Sequence, residues 1–302
     1  MRRLLIIGCG DVALRMVPLV RDRYLVYGLT RDRDRMAALR AAGLKPLWGD
    51  LDRPATLGAL PGLAHDVAHF APPPNSGERD TRTAHLIASL AKAKSLPQHF
   101  VYISTSGVYG DCAGAVIDET RPASPRTDRA KRRVDAERQL REWGARTGVR
   151  VTIVRVPGIY ASDRLPLDRL TRGTPALRVE DDTYVNHIHA DDLAAIVVAA
   201  LRRGQHNRSY NACDDLPQRM GDYFDLVADR FGLPRPLRIA REDARRVIPP
   251  QLYSFMSESR RLANRRMKRE LRVRLRSPSV HDGVRVAAES RLAHGRRGVA
   301  AT

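Results

Sequence analysis

The chain is short of cysteine, lysine and aromatic residues, and it lacks any long apolar run. Its three cysteines, Cys9, Cys112 and Cys213, are far apart and odd in number. That excludes a disulfide framework and a C-x-x-C metal pair, and it points to a reducing interior. No stretch reaches the roughly 18 consecutive apolar residues of a membrane-spanning helix, so a soluble protein is expected. Met1-Arg2-Arg3 carries the charge of a signal peptide, but the apolar core behind it is shorter than the roughly 7–15 residues required. Residues 3–7 therefore read as a first strand, and the expected compartment is the cytoplasm. Only five residues are lysine (45, 92, 94, 131 and 268) against 48 arginines, and the net charge is +19. Nearly half of that excess lies in residues 257–302, with 13 basic side chains against Glu258, Glu270, Asp282 and Glu289. With 302 residues, 43% of them hydrophobic, there is material for one large α/β domain or for a domain with a small lobe.

What is present is a repeating strand and helix pattern. Residues 3–7 form an apolar run ending in glycine, and 12–21 put Leu14, Val17 and Val20 on one face. Pro18 cannot donate to the carbonyl of Leu14, which predicts a kink or an early end to that helix. Further strands are expected at 25–29, 46–48, 66–70, 99–104 and 150–156, with helices at 33–42, 83–94 and 129–147. This alternation predicts an α/β fold, a Rossmann-type doubly wound parallel sheet with helices on both faces. Beyond Tyr160 the rhythm loosens into helices at 191–201 and 220–231, the second closed by Gly232 and Pro234, around a strand-like 208–212. The expected organisation is a dinucleotide-binding core, 1–160, a smaller C-terminal part covering the substrate, 161–292, and a disordered tail, 293–302.

Gly8-Cys9-Gly10-Asp11-Val12-Ala13 fits G-x-G-x-x-A where the first strand meets the first helix. Gly8 permits a tight turn, Gly10 lets a pyrophosphate approach the backbone, and Ala13 lets helix and strand pack closely. Free N–H groups at the helix start, including those of Asp11 and Val12, suit phosphates. A carboxylate at the end of the second strand would hold the ribose of NAD; this chain has Thr30-Arg31 there, with Arg33 and Arg35 following. A guanidinium suits a 2′-phosphate, so NADP is expected over NAD, with Arg31 as its ligand.

Several separated motifs then agree: the turn at 8–13, Gly49-Asp50-Leu51, Ser104-Thr105-Ser106-Gly107-Val108-Tyr109-Gly110, Val156-Pro157-Gly158-Ile159-Tyr160 and Ile188-His189-Ala190-Asp191-Asp192-Leu193. Over about residues 3–235 the chain resembles the extended short-chain dehydrogenase/reductase superfamily, the NAD(P)-dependent nucleotide-sugar epimerases and dehydratases. The resemblance implies that Asp50, beside Leu51, accepts from the adenine amino group, or else caps a turn. It implies that Phe70-Ala71-Pro72 passes the cofactor and that Pro157-Gly158-Ile159 lies along the nicotinamide. Thr105 matches the hydroxyl that orients a substrate oxygen, or else ends a strand.

The family's Tyr-x-x-x-Lys is missing, for none of the nine tyrosines has lysine four residues on. Anchoring on Glu137 puts Arg129 at the tyrosine and Arg133 at the lysine; anchoring on Lys131 puts Thr127 at the tyrosine. Arginine cannot shuttle protons at neutral pH, but it binds carboxylates and phosphates. Tyr109 and Tyr160, expected to flank the pocket, are the alternative phenols. His187-Ile-His189-Ala-Asp191-Asp192 has the composition of a metal site, yet it reads more simply as a strand entering a helix capped by Asp191, and no metal is expected. The basic run 257–276, with Leu262, Met267 and Leu271 as a partial stripe, is expected to dock over the substrate cleft. Capture of nucleic acid through phosphates is its competing reading, made the weaker by the absence of aromatics. Two functions follow: an oxidoreductase or epimerase-like enzyme acting on an anionic, nucleotide-linked small molecule with Thr105 and Arg129 in its active site, or a non-catalytic NADP sensor presenting a basic C-terminus to a partner. The amphipathic helices are compatible with a homodimer.

Overall fold

Seven strands form the centre of the computed structural model, which describes residues 1–299. They are β1 (Arg2–Ile7), β2 (Tyr24–Thr30), β3 (Lys45–Trp48), β4 (Asp66–His69), β5 (His99–Thr105), β6 (Arg150–Val156) and β7 (Arg208–Asn211). Their order across the sheet is β7-β6-β5-β4-β1-β2-β3, with every neighbouring pair parallel. Side chains alternate faces along a strand, so Leu4 and Ile6 enter one core while Leu5 and Ile7 enter the other, none more than 1% exposed. Helices α1 (Asp11–Met16) and α2 (Met36–Ala41) and the Ala190–Arg203 helix cover the first face. On the second face lie α3 (Thr81–Leu90) and α4 (Asp128–Thr147). This is the Rossmann-type sheet that the alternation predicts. Because β1 has β2 on one side and β4 on the other, the winding reverses there and opens a crevice at the carboxyl ends of the strands.

Local chemistry moves several boundaries. α1 ends at Met16, and Val17–Leu19 tightens into a 3-10 turn around Pro18. α2 starts later than residue 33 because Asp32 accepts the Asp34 N–H at 3.0 Å, holding the chain in a turn. The Ala190–Arg203 helix is capped by His189, whose Nδ1 accepts the Asp191 N–H at 3.3 Å; Asp191, the expected cap, pairs instead with Arg15 at 2.8 Å. Asp192 accepts from the Arg276 and Ser277 N–H groups.

In the C-terminal part, Met220–Phe231 ends on Gly232 in the left-handed conformation, as the sequence predicts. The Val280–Val299 helix seats Val280 and Val284 against Tyr160 and Tyr223. Its backbone continues into the stretch expected as a disordered tail, since each further residue of an anchored helix gains a hydrogen bond; residues 300–302 lie outside the described residues. The basic run departs from expectation. Leu262, Met267 and Leu271 are buried, Met267 and Leu271 in the main core beside the Ala190–Arg203 helix and the β7 edge, and none of residues 257–276 lines the cleft. No described helix is long and apolar enough to cross a membrane.

Beside the Gly158–Tyr160 and His187–His189 strand pair, Asp214 is 1% exposed and accepts the His187 N–H at 3.3 Å. Burial pushes its carboxyl up to about 8 from the usual 3.8. The folded chain therefore holds a proton that the unfolded chain has already lost between these values. Stability from this group is complete below pH 4 and falls as pH rises to about 8. Asp214→Asn is expected to flatten that decline, read as melting temperatures from pH 4 to 9; parallel curves for variant and wild type would refute it.

Candidate functional site

A cleft of about 770 Å³ occupies the crevice, and the turn after β1 forms its floor. Gly8, Cys9, Gly10, Asp11, Val12 and Ala13 all line it. Gly8 has φ +87°, and a Cβ there would stand 2.6 Å from the Ala71 nitrogen, so only glycine lets the loop after β4 close on the turn. That loop is drawn in by Phe70 and Ala71, whose N–H groups donate to the Ile7 carbonyl at 2.8 and 3.0 Å. Gly10 is the opposite case, for nothing lies within 4 Å of where its Cβ would be. The turn thus leaves an open hollow against bare backbone, the shape a diphosphate requires. Asp11 holds Arg15 at 2.8 Å and Arg164 at 3.3 Å, and Ala13 is packed at 1% exposure.

At the β2 and β3 end, Arg31, Asp32, Arg35, Asp50 and Leu51 line the cleft. Arg31 forms no hydrogen bond or ion pair among the described residues, whereas Arg35 donates to the Cys9 carbonyl at 2.9 Å and Arg33 stacks on Trp48. Asp50 does cap a turn, accepting the Asp52 N–H at 3.0 Å, while remaining on the wall. Arg82 reaches across from α3. Its two bonds to Asp52, 2.6 and 2.8 Å, hold that carboxyl below its usual range, and a third reaches the Pro72 carbonyl at 3.0 Å. Phe70, Ala71 and Pro72 complete this side. Arg35 is one of the guanidiniums noted after β2, whereas Asp32 and Arg82 escape sequence reasoning because a guanidinium among 48, or an aspartate in a turn, matches no motif.

Thr105, Arg129, Arg133, Pro157 and Ile159 stand at the other end. Thr105 accepts the Gly107 N–H at 3.2 Å. Beneath it, Ser104 donates to Glu137 at 2.6 Å, and Glu137 receives Arg155 through two bonds of 3.1 and 2.7 Å, all three side chains being buried. Thr127 caps α4, which then carries Arg129 and Arg133 one turn apart on the cleft side. Lys131 turns away to Glu78 and Asp128. The Glu137 register is therefore the one whose residues meet the cleft. Arg133 donates to the Ile103 carbonyl at 2.6 Å and to the Tyr102 hydroxyl at 3.0 Å. Arg129 lies 4.2 Å over the Phe255 ring; desolvation draws its guanidinium below the ordinary value, against the pull of Glu258. Phe255, on the Pro250–Phe255 helix, and Arg164 had no signal beyond lying in a loosely patterned region.

Tyr109 and Gly158 are not on the wall. Tyr109 is 1% exposed, donates to Asn211 at 2.8 Å and packs under Arg155, and burial raises its phenol further from use. Gly158 faces His187 in its strand pair. Tyr160 is likewise buried, donating to the Ser279 carbonyl at 3.1 Å. Among the described residues lining the cleft there is no tyrosine, lysine or histidine. His187 packs against Tyr223, 4.2 Å between ring centres, and burial pushes it down to about 4. No group of three or more His, Cys, Asp or Glu able to hold a metal is gathered among the described residues.

Comparison with known proteins gives a consistent result. Residues 16–213 match the model of the NAD dependent epimerase/dehydratase family. A GDP-6-deoxy-D-mannose reductase of Pseudomonas aeruginosa is 28% identical over 229 residues, 66% of this chain and 75% of the reductase. The solved structure of a functionally unknown conserved protein from Silicibacter pomeroyi superposes with TM-score 0.80 at 29% identity, covering 96% of this chain and 99% of that one. At 20% identity, a dTDP-glucose 4,6-dehydratase from Streptomyces venezuelae with NAD bound shares the fold, with TM-score 0.77 over 98% of both chains.

Proposed function

Since the chain belongs to the NAD dependent epimerase/dehydratase family, we propose that it binds NADP and uses it as an oxidoreductase or epimerase-like enzyme on an anionic, nucleotide-linked small molecule. One observation carries this reading: a single cleft joins the open glycine turn at one end to Thr105 and a pair of arginines at the other. The hollow at Gly10 fits a dinucleotide, with the backbone of residues 8–13 for its diphosphate and Asp50 and Leu51 near its adenine end. Arg31, without a hydrogen bond or ion pair among the described residues, suits a 2′-phosphate through charge-assisted bonds. When bound, the nicotinamide supplies or takes up a hydride. Thr105 orients a substrate oxygen, Arg129 binds the substrate's charge, and Phe255 screens that contact from water. Similarity to the reductase of a GDP-linked sugar supports the nucleotide-linked class.

Arg31→Gln is expected to weaken NADPH binding by about 10- to 150-fold, the worth of a charged hydrogen bond or two, and to leave NADH unchanged. Fluorescence titration of both nucleotides checks this; equal losses would move the 2′-phosphate elsewhere. Turnover is tested by following NADPH absorbance with GDP-, UDP- and dTDP-linked keto-sugars.

A second reading, a non-catalytic NADP sensor, is favoured by the lack of a tyrosine, lysine or histidine among the described cleft residues. Saturable cofactor binding with no consumption across that panel supports it, and any substrate-dependent NADPH oxidation refutes it.

A further inference from the structure

Resting on the cofactor reading above, we infer from the ion pairs around residues 8–13 that Arg164 is a ligand of the dinucleotide's diphosphate, delivered by the loop that follows Tyr160. Residues 161–166 join the Gly158–Tyr160 strand to the Leu167–Thr171 helix. The loop is anchored at both ends, by Ala161 in the main core and by Leu165 against the cluster of Tyr160 and Leu170. Between these anchors the Arg164 N–H donates to the Ala161 carbonyl at 2.9 Å, closing a turn that swings Asp163 and Arg164 round to α1. Two ion pairs of opposite sense fasten it there: Asp163 accepts from Arg15 at 3.2 Å, and Arg164 donates to Asp11 at 3.3 Å. Arg164, Asp11 and Gly10 line the same cleft, and Arg15 does not.

The two arginines are not equally engaged. Arg15 is committed through all three nitrogens, to Asp11, Asp191 and Asp163. Arg164 gives one N–H to Asp11, at the long end of the hydrogen-bond range, and has no other bond or ion pair among the described residues. Asp11 is held without it, since its other oxygen takes the Arg15 Nε at 2.8 Å. At 40% side-chain exposure, the Arg164 pair is worth little in water.

A diphosphate in the hollow at Gly10 changes that balance. Its oxygens accept two parallel N–H bonds from a guanidinium fork, a stronger arrangement than the single bond to Asp11. The Asp11 carboxylate on the same wall repels such an anion, and Arg164 is the cation placed to stand between them. Arg35 approaches the turn from the β2 end, at the Cys9 carbonyl, while Arg164 approaches from the C-terminal part, at Asp11. The diphosphate is common to NADP and NAD. Arg164 therefore adds affinity for both, whereas Arg31 discriminates between them.

The test is calorimetric titration of the full chain, of R164Q and of R172Q, which removes the same charge from an exposed position off the cleft wall. R164Q is expected to bind NADPH and NADH about tenfold more weakly, with the same factor for both, the lower end of what a charge-assisted hydrogen bond supplies. ADP-ribose, which keeps the diphosphate and lacks the nicotinamide, should lose the same factor. Adenosine 2′-phosphate, which lacks the diphosphate, should bind R164Q and wild type alike, and R172Q should stay within about twofold of wild type throughout. A loss confined to NADPH, an equal loss for adenosine 2′-phosphate, an equal loss in R172Q, or no loss in R164Q would each overturn the role of Arg164 and leave the cofactor reading standing. A wild-type chain that binds neither dinucleotide overturns both.

Discussion

Replacing Gly10 by valine is expected to cost at least about 100-fold in nicotinamide dinucleotide affinity while leaving the fold in place. No atom lies within 4 Å of the position its Cβ would take, and its φ of −82° suits any residue. The penalty for stability is thus limited to the poorer helix cap, at most about 1 kcal/mol. The bulk of valine projects into the hollow where the diphosphate must touch backbone. Gly8→Ala is the instructive contrast. There φ is +87° and the new Cβ would collide with the Ala71 backbone, so stability falls together with binding. Calorimetry and urea denaturation on both variants separate the two roles. A Gly10→Val protein that binds NADPH like wild type would show that the hollow is not where the cofactor lies.

The second large effect concerns the layer beneath the substrate end of the cleft. Arg155→Met removes the doubly bonded cation from Glu137, which is 4% exposed and would be left charged inside the protein with only Arg141, at 4.0 Å, as a cationic neighbour. Losing one partner of a buried pair costs about 3–5 kcal/mol. Adding Glu137→Gln to that variant should recover much of the loss, because an amide pays far less for burial than a carboxylate. Urea midpoints of the single and double variants check this. If Arg155→Met stayed within about 1 kcal/mol of wild type, the pair would not be holding Ser104 and β5 in place.

The sheet was legible because both of its faces are buried: runs such as Leu4 to Ile7 are apolar throughout, and Gly8, Gly43 and Gly232 mark where elements stop. The turn at 8–13 was legible for the same reason that it works, since its glycines answer to backbone geometry rather than to a particular fold. Most of the cleft wall followed from motifs, but Arg82, Arg164 and Phe255 did not. Long side chains from distant elements converge there, and nothing local records where a guanidinium will end. Tyr109 shows the reverse error: next to Thr105 in sequence, it ends a 3-10 turn that carries its ring into the core towards Asn211. The basic run was misplaced because its charge was obvious and its three buried side chains, Leu262, Met267 and Leu271, were too sparse to outweigh it in the sequence. Asp191 lost the cap to His189 by a shift of two residues, within which the imidazole reaches the same N–H that a carboxylate would cap.

The central claim, that the glycine turn after β1 receives a nicotinamide dinucleotide with a 2′-phosphate, is tested most directly by calorimetric titration of the intact chain with NADPH and NADH side by side. One site per chain with NADPH the tighter ligand is the expected result. Absence of heat with either nucleotide, or NADH bound as tightly as NADPH, would contradict it.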